Sequence, residues 1–157
     1  MRVDAFLADS VVSAEGKLYA QGIGWNMINA VQFPAQHERL GIGLVVHIPY
    51  TATNQQHTVA IRIEKDGEVL GLNMGGEPPE GEERLTKIEA GFNVGRPPNL
   101  PAGAEQVIAL AVNLNLLVFP QPGAYEVVLT IDGMDDEDRL TFLVQQLAVP
   151  TLTPGHP

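Results

Sequence analysis

The sequence predicts an all-β protein, a single-domain antiparallel β-sandwich with an immunoglobulin-like or jelly-roll-like topology. Apolar and polar residues alternate with a period of two along most of the chain. Gly and Pro are frequent, at 16 and 12 of 157 residues, which is typical of many short strands joined by turns. No long segment shows the 3.6-residue period of a helix. Together these features indicate two packed antiparallel sheets.

Each predicted strand has one apolar face. The residues of these faces are, strand by strand, Val3, Ala5 and Leu7; Tyr19, Ile23 and Trp25; Ile42, Leu44, Val46, Ile48 and Tyr50; Val59, Ile61 and Ile63; Leu70, Leu72 and Met74; Ile88, Ala90, Phe92 and Val94; Ile108, Leu110, Val112, Leu114, Leu116 and Val118; Tyr125, Val127, Leu129 and Ile131; and Leu140, Phe142 and Val144. Because successive side chains point to opposite faces of a strand, each set predicts residues that face the core. The strand beginning near Val107 is apolar on both faces, so we expect it to be central or covered on both sides.

Turn signals separate these strands. Asp66-Gly67 predicts a two-residue type I′ hairpin that sets Lys65 opposite Glu68 and Ile63 opposite Leu70. The Gly- and Pro-rich stretches 75–84 and 95–104 are predicted to be exposed loops. Residues 1–149 form the predicted domain, and residues 150–157 are predicted to be a disordered tail.

Charge and composition exclude several classes of function. The net charge is −10 with only 9 Lys and Arg, so a basic footprint for nucleic acid or for an anionic membrane surface is missing. The absence of Cys excludes disulfides, zinc–thiolate sites, iron–sulfur clusters and a thiol nucleophile. The N-terminus carries acids and no signal-peptide pattern, and no apolar run approaches the ~20 residues of a membrane span. We therefore expect a cytoplasmic protein.

Motifs for catalysis or for cofactors are also missing. The only serines, Ser10 and Ser13, lie outside a Gly-x-Ser-x-Gly elbow. The glycine spacing from Gly76 resembles a phosphate-binding loop, but Glu82 stands where that loop needs Lys. The sequence therefore predicts no catalytic residue and no cofactor.

The histidines His47 and His57 are the first candidates for a metal site. If their strands pair as a hairpin with apolar faces aligned, Val46 faces Val59 and Leu44 faces Ile61. His47 then points outward and His57 toward the rim of the core. Imidazoles on opposite faces do not share a metal ion, so we predict separate structural positions.

The acidic stretch "DGMDDEDR" is a second candidate. Asp132, Asp135, Asp136 and Asp138 form a possible weak Ca²⁺ site, because calcium prefers loops rich in oxygen ligands. The alternative is a solvated hairpin loop, since Ile131 and Leu140 on either side are expected to pair across it.

A possible binding surface consists of Trp25, Asn26, Asn113 and Asn115. Asn113 and Asn115 are expected to face outward on the longest strand, where an amide-lined face could bind sugar or a partner strand, or simply be polar because it is exposed. Trp25, the only Trp, is either a ligand platform or an anchor at the rim of the core. The anchor interpretation treats its neighbours Gly22 and Gly24 as the sign of a bulge.

Several stretches, in their order along the chain, resemble a bacterial family of uncharacterised proteins, a domain of unknown function. They are "LADSVVSAEGKLYAQGIGW", "FPAQHERLGIGLVVHI", "HTVAIRIEKDGEVL" and "PGAYEVVLTIDG", and together they cover most of residues 1 to 145. The resemblance implies a compact β-sandwich without known catalytic residues.

These observations predict a non-catalytic binding or interaction module that acts through loops or sheet edges. Extended apolar strands need covered edges, so a protein partner or self-association is expected. The alternatives are a structural component of a larger assembly, such as a phage-like particle, and, with less support, a metal- or carboxylate-dependent enzyme.

Overall fold

The computed structural model describes residues 1–72 and 80–148. In these ranges the secondary structure is strand apart from one short 3₁₀ turn, Tyr50–Ala52, so the predicted all-β class is confirmed. The strands are β1 (Arg2–Ala8), β2 (Ser10–Ala14), β3 (Lys17–Gln21), β4 (Met27–Ala30), β5 (Ala35–Ile48), β6 (Gln56–Lys65), β7 (Glu68–Val69), β8 (Ile88–Asn93), β9 (Gln106–Phe119), β10 (Gly123–Ile131) and β11 (Asp138–Gln146). Met74 and the predicted tail, 150–157, lie outside the described residues.

The strands form three sheets. One has the order β1-β5-β9, and the second has the order β4-β11-β10-β6-β7, with β8 also paired to β6. The third is the hairpin β2-β3. Every pair is antiparallel except β4 with β11, which run parallel. The prediction of purely antiparallel pairing is therefore wrong at this one pair.

Side chains from both larger sheets belong to one hydrophobic core. The predicted apolar parity is confirmed in the long strands, since alternate residues from Leu40 to Ile48 on β5 and from Val59 to Ile63 on β6 are at most 2% exposed. Removing this much apolar surface from water is the main favourable term in folding. The period-two pattern therefore identified the core faces of these strands correctly.

The Asp66-Gly67 turn is also confirmed. Asp66 and Gly67 have φ of +53° and +81°, as a type I′ turn requires, and Lys65 faces Glu68. The backbone N–H of Leu70 donates to the carbonyl of Ile63 at 2.8 Å. The second strand of this hairpin, β7, is only two residues long.

The predicted hairpin of β5 with β6 is wrong. β5 pairs with β1 and β9, while β6 pairs with β10, β7 and β8, so the two strands lie in different sheets. The 3₁₀ turn between them carries the chain from one sheet to the other. Arg96 holds this turn, because its guanidinium donates to the Tyr50 carbonyl at 2.7 Å and to Thr53 Oγ1 at 2.8 Å and stacks 3.9 Å over the Tyr50 ring.

The longest predicted strand differs in two respects. Of the two expected positions, central or covered, the central one is wrong, because β9 is an edge strand of its sheet and β5 is the central one. The predicted inward positions Leu116 and Val118 are also wrong, because Leu117 and Phe119 are the fully buried residues. Leu116 has a φ of +56°, and this left-handed residue changes which face of the strand the following side chains occupy.

Two further expectations are wrong. Tyr19 and Ile23 are more than half exposed, because β3 pairs only with β2 in a hairpin outside the two larger sheets. The hairpin of β10 with β11 exists, but Leu140 faces Val127 rather than Ile131. The register of this hairpin is therefore shifted by four residues relative to the one that the sequence suggested.

Gly43 on β5 is fully covered by the ring of its cross-strand partner, Phe6. A Cβ at position 43 would lie 2.2 Å from Phe6 Cζ, so we expect Gly43→Ala to displace the ring and to lower the free energy of unfolding by about 1–3 kcal/mol. Gly95→Ala is the matched control, because a Cβ there meets no atom within 4 Å. Urea unfolding of both variants measures the difference, and equal stabilities would contradict the role given to Gly43.

Candidate functional site

Three of the sheet edges are protected by the fold. At β9, the backbone N–H of Val11 donates to Asn113 Oδ1 at 3.0 Å, Asn113 Nδ2 donates to the Val11 carbonyl at 2.7 Å, and Ser13 Oγ donates to the Ala109 carbonyl at 2.8 Å. The β2-β3 hairpin therefore covers this edge. The β1 edge carries the ion pair of Arg2 with Asp4. Covering and charge are common means of blocking unwanted strand pairing.

At the edge of the six-stranded sheet that β7 and β8 form, short and charged strands give the protection. β7 has two residues and β8 has six, and the two follow one another along β6. β8 carries Glu89, whose carboxylate pairs with Lys87 at 2.8 Å. Short edge strands with charged side chains are poor templates for another strand.

The β4 edge has none of these protections. Its residues, Met27 to Ala30, are uncharged, and β11 pairs with one side only. Leu143 N–H donates to the Asn26 carbonyl and Leu147 N–H donates to the Ala30 carbonyl, both at 2.8 Å, so the even-numbered residues of this segment bond to β11. Because backbone groups alternate between the two edges of a strand, those of Met27 and Asn29 point away from β11.

A cleft of about 470 Å³ lies along this open edge. One wall is β4 and the turn after it, from Ile28 to Gln32, and the other is the start of β5, from Pro34 to His37. Phe119 completes the lining, and none of the lining residues is Asp, Glu, Lys or Arg. Burial is the main cause that lowers the pKa of His37, so this imidazole is neutral near pH 7. The cleft is therefore an uncharged groove beside an unpaired strand.

His37, which lines the cleft, packs against Trp25. Their ring centroids lie 6.2 Å apart, and Trp25 also meets Phe142 edge to face at 6.4 Å. Trp25 packs against the hydrophobic core, as the anchor interpretation expects. Gly22 and Gly24, with φ of +68° and +95°, belong to the link between β3 and β4 rather than to a bulge. Trp25 Nε1 and His37 Nε2 are buried without a hydrogen-bond partner among the described residues.

An apolar stripe covers the outer face next to the open edge. Met27 and its neighbour Leu143 are 44% and 37% exposed, and Val31 and Leu147 are 62% and 46% exposed. Between these pairs, Gln145 Nε2 donates to Asn29 Oδ1 at 2.8 Å. Exposed apolar side chains gathered at one unpaired edge are typical of an interaction surface.

The four predicted binding residues lie on different sheets. Trp25 and Asn26 directly precede β4, whereas Asn113 and Asn115 lie on β9. The amide of Asn113 is occupied by the backbone of Val11, and Asn115 Oδ1 accepts from Arg39 Nε at 3.1 Å. The structure therefore brings only Trp25 and Asn26 near the open edge.

The candidate calcium ligands lie in the loop between β10 and β11 or at its end. Asp132 Oδ2 accepts from the backbone N–H of Thr58 at 2.8 Å, and Asp138 Oδ1 accepts from the N–H of Arg139 at 3.0 Å. In the described part of the chain, no three His, Asp or Glu side chains are arranged to hold a metal ion. Asp135 and Asp136 are exposed in the same loop.

His47 and His57 lie on strands of different sheets rather than on opposite faces of one hairpin. His57 is buried, packs beside Phe92, and its Nε2 lies 2.8 Å from the Ala52 carbonyl. His47 lies between two carboxylates, with Nε2 2.8 Å from Asp4 Oδ2 and Nδ1 2.7 Å from Glu105 Oε1. The hydrogen bond with His47 is the largest of the causes that lower the pKa of Asp4.

A network of ion pairs that the sequence analysis missed covers the outer face of β6, β10 and β11. Arg62 donates to Glu64 at 2.6 Å and to Glu137 at 2.7 Å, while Arg139 donates to Glu64, Glu126 and Glu137 at 2.8–3.0 Å. Hydrogen bonds with Arg62 are the main cause that lowers the pKa of both Glu64 and Glu137. The only local signal was the alternation of Arg62 with Glu64, since the other partners are distant in sequence.

The β4 edge was also missed. The segment "MINAV" is short, and only the alternation of Ile28 and Ala30 with Met27 and Asn29 indicated a strand. Nothing in that alternation shows which strand pairs with β4 or whether its second edge is free.

Residues 1–72 and 80–148 contain no apolar helix of the length that crosses a membrane.

We expect acid to destabilise the protein first through His37. Burial lowers the pKa of His37 in the folded state, so the unfolded chain binds the proton more tightly than the folded chain does. The free energy of unfolding therefore falls as the pH decreases below about 6.5, where the unfolded imidazole becomes protonated. His37→Gln should remove this part of the pH dependence. Urea unfolding followed by the emission of Trp25, on both sides of about pH 6.5, measures it.

The carboxylates provide an internal control for this prediction. Asp4, Glu64 and Glu137 have lowered pKa values, so the stability that they contribute is present above about pH 4.5 and is lost only at lower pH. The variant should keep that second decrease. An unchanged slope near pH 6.5 in His37→Gln would contradict the role given to His37.

A family model described as a family of unknown function, DUF6941, matches residues 3–145. No curated protein and no solved structure matches the chain.

Proposed function

The chain belongs to DUF6941, a family of unknown function, and from its open sheet edge we propose that it is a non-catalytic interaction module that binds an extended protein segment along β4. The carrying observation is the combination of an unpaired, uncharged strand with a cleft of about 470 Å³ beside it. Strand addition to an exposed sheet edge uses the backbone for affinity and adjacent side-chain pockets for specificity.

The groove provides both kinds of contact. Asn29 directs its backbone N–H and C=O toward the position of an added strand. Ile28, Ala35 and Phe119 give an apolar lining on the core side of the cleft. Met27 and Val31 offer apolar contacts on the outer face. A segment with alternating apolar side chains would fit both faces.

The proposal includes an immunoglobulin-like sandwich as the scaffold. Its support is the strand order, because β1-β5-β9 corresponds to strands A, B and E, and β11-β10-β6-β7 corresponds to G, F, C and C′. Tyr125 adds support, since its hydroxyl donates to the Gln121 carbonyl at 2.7 Å near the start of β10, as a tyrosine corner does. In this scheme β4 extends the sheet beyond its last strand.

Substitution of Asn29 tests the proposal. Asn29→Pro removes the outward N–H and leaves the bonds to β11 in place, whereas Asn29→Ala keeps the N–H and serves as the matched control. Peptides selected on the wild-type domain from a random display library should bind Asn29→Ala with similar affinity and Asn29→Pro about tenfold or more weakly.

Equilibrium titration by fluorescence anisotropy measures these affinities, and circular dichroism checks that both variants are folded. A library that yields no binders, or binders that tolerate Asn29→Pro, would reject the β4 edge as the binding site.

A further inference from the structure

We infer that the segment that pairs with β4 is β4 of a second copy of the same chain, so that two six-stranded sheets join edge to edge across a two-fold axis. The inference rests on the proposed function, because it uses the same edge, and it names the partner.

The backbone of β4 is compatible with itself in one register. With Asn29 on the axis, Asn29 faces Asn29 of the second copy, and Met27 faces Val31. Met27 and Asn29 present their backbone groups to this edge, so the two Asn29 residues can exchange N–H and C=O in a hydrogen-bonded antiparallel pair. Val31 follows β4 in a bend, and its carbonyl accepts from Gln146 Nε2 of β11 at 3.2 Å, so the backbone pairing is centred on Asn29 and confined to β4.

The side chains match in the same register. On the outer face, Met27 of one copy would lie beside Val31 of the other, at 44% and 62% exposure in the single chain. Leu143 and Leu147 continue this apolar row onto β11 of each copy, so the contact would bury a stripe that is exposed in the monomer. The two Asn29 amides would lie side by side at the axis, where Nδ2 of each can donate across the pair.

Charge favours this edge over the rest of the surface. A chain of net charge −10 repels its own copy, so a self-contact is favoured where no charge is brought together. Neither Met27–Ala30 nor the lining of the adjacent cleft includes Asp, Glu, Lys or Arg. The β9 edge is covered by the β2-β3 hairpin, and the β1 and β8 edges carry charged side chains.

Sedimentation velocity over a wide range of concentration tests the inference. The wild-type protein should show a weak, concentration-dependent dimer, because the pairing of a four-residue strand with its copy buries little surface. Asn29→Lys and Asn29→Asp should each be monomeric, since two like charges would face each other at the axis. An equimolar mixture of the two variants should dimerise again, because the introduced ammonium then faces the introduced carboxylate. Asn93→Lys, an exposed position on the opposite edge strand β8, should dimerise like wild type.

Four outcomes would overturn the inference: a wild-type protein that stays monomeric, an Asn29→Lys variant as dimeric as wild type, a mixture that stays monomeric, or loss of the dimer in Asn93→Lys. Circular dichroism confirms that each variant is folded. If the wild type is monomeric but selected peptides still require the Asn29 N–H, only the identity of the partner is wrong. If it is monomeric and no such peptides exist, the proposed function is wrong as well.

Discussion

Phe119 packs its ring against Tyr125 at 4.9 Å and Phe142 at 5.8 Å, and this contact joins the three-stranded sheet to the six-stranded sheet. It requires Leu116 to adopt a left-handed conformation, which costs a non-glycine residue about 1–2 kcal/mol. Full burial of Leu117 and Phe119 stabilises the fold by more than this cost, at about 1.5–3 kcal/mol for each large apolar side chain. The same change of face makes Phe119 part of the cleft lining.

The cleft exists because β4 and the start of β5 belong to different sheets although a short turn joins them. β4 adds to β11 in the six-stranded sheet, and Ala35 pairs with Phe119 in the other sheet. The chain therefore opens a groove where it crosses between the sheets. His37 lines this groove and packs against Trp25. The β9 edge is covered, and the β1 and β8 edges carry charged side chains. The open edge is thus a consequence of where the crossing occurs.

The β4 edge is an uncharged region on the surface of an acidic chain. Arg62 and Arg139 pair with Glu64, Glu126 and Glu137 on and beside the outer sheet face and offset two of their three charges. An acidic chain keeps its copies apart except where charge is absent. The β4 edge is such a place, and its apolar neighbours Met27 and Leu143 are exposed there.

The sequence by itself determined the all-β class, the core faces of β5 and β6, and the Asp66-Gly67 turn, because alternation and turn chemistry are local properties. It also determined that the chain is acidic and has no thiol chemistry. Only the tertiary structure decided that β5 and β6 lie in separate sheets, that Tyr19 and Ile23 are exposed, and that the inward face of β9 changes at Leu116. It also decided that β4 has a free edge. The reason is that strand partners and uncovered edges depend on packing between residues distant in sequence, and no local pattern records those contacts.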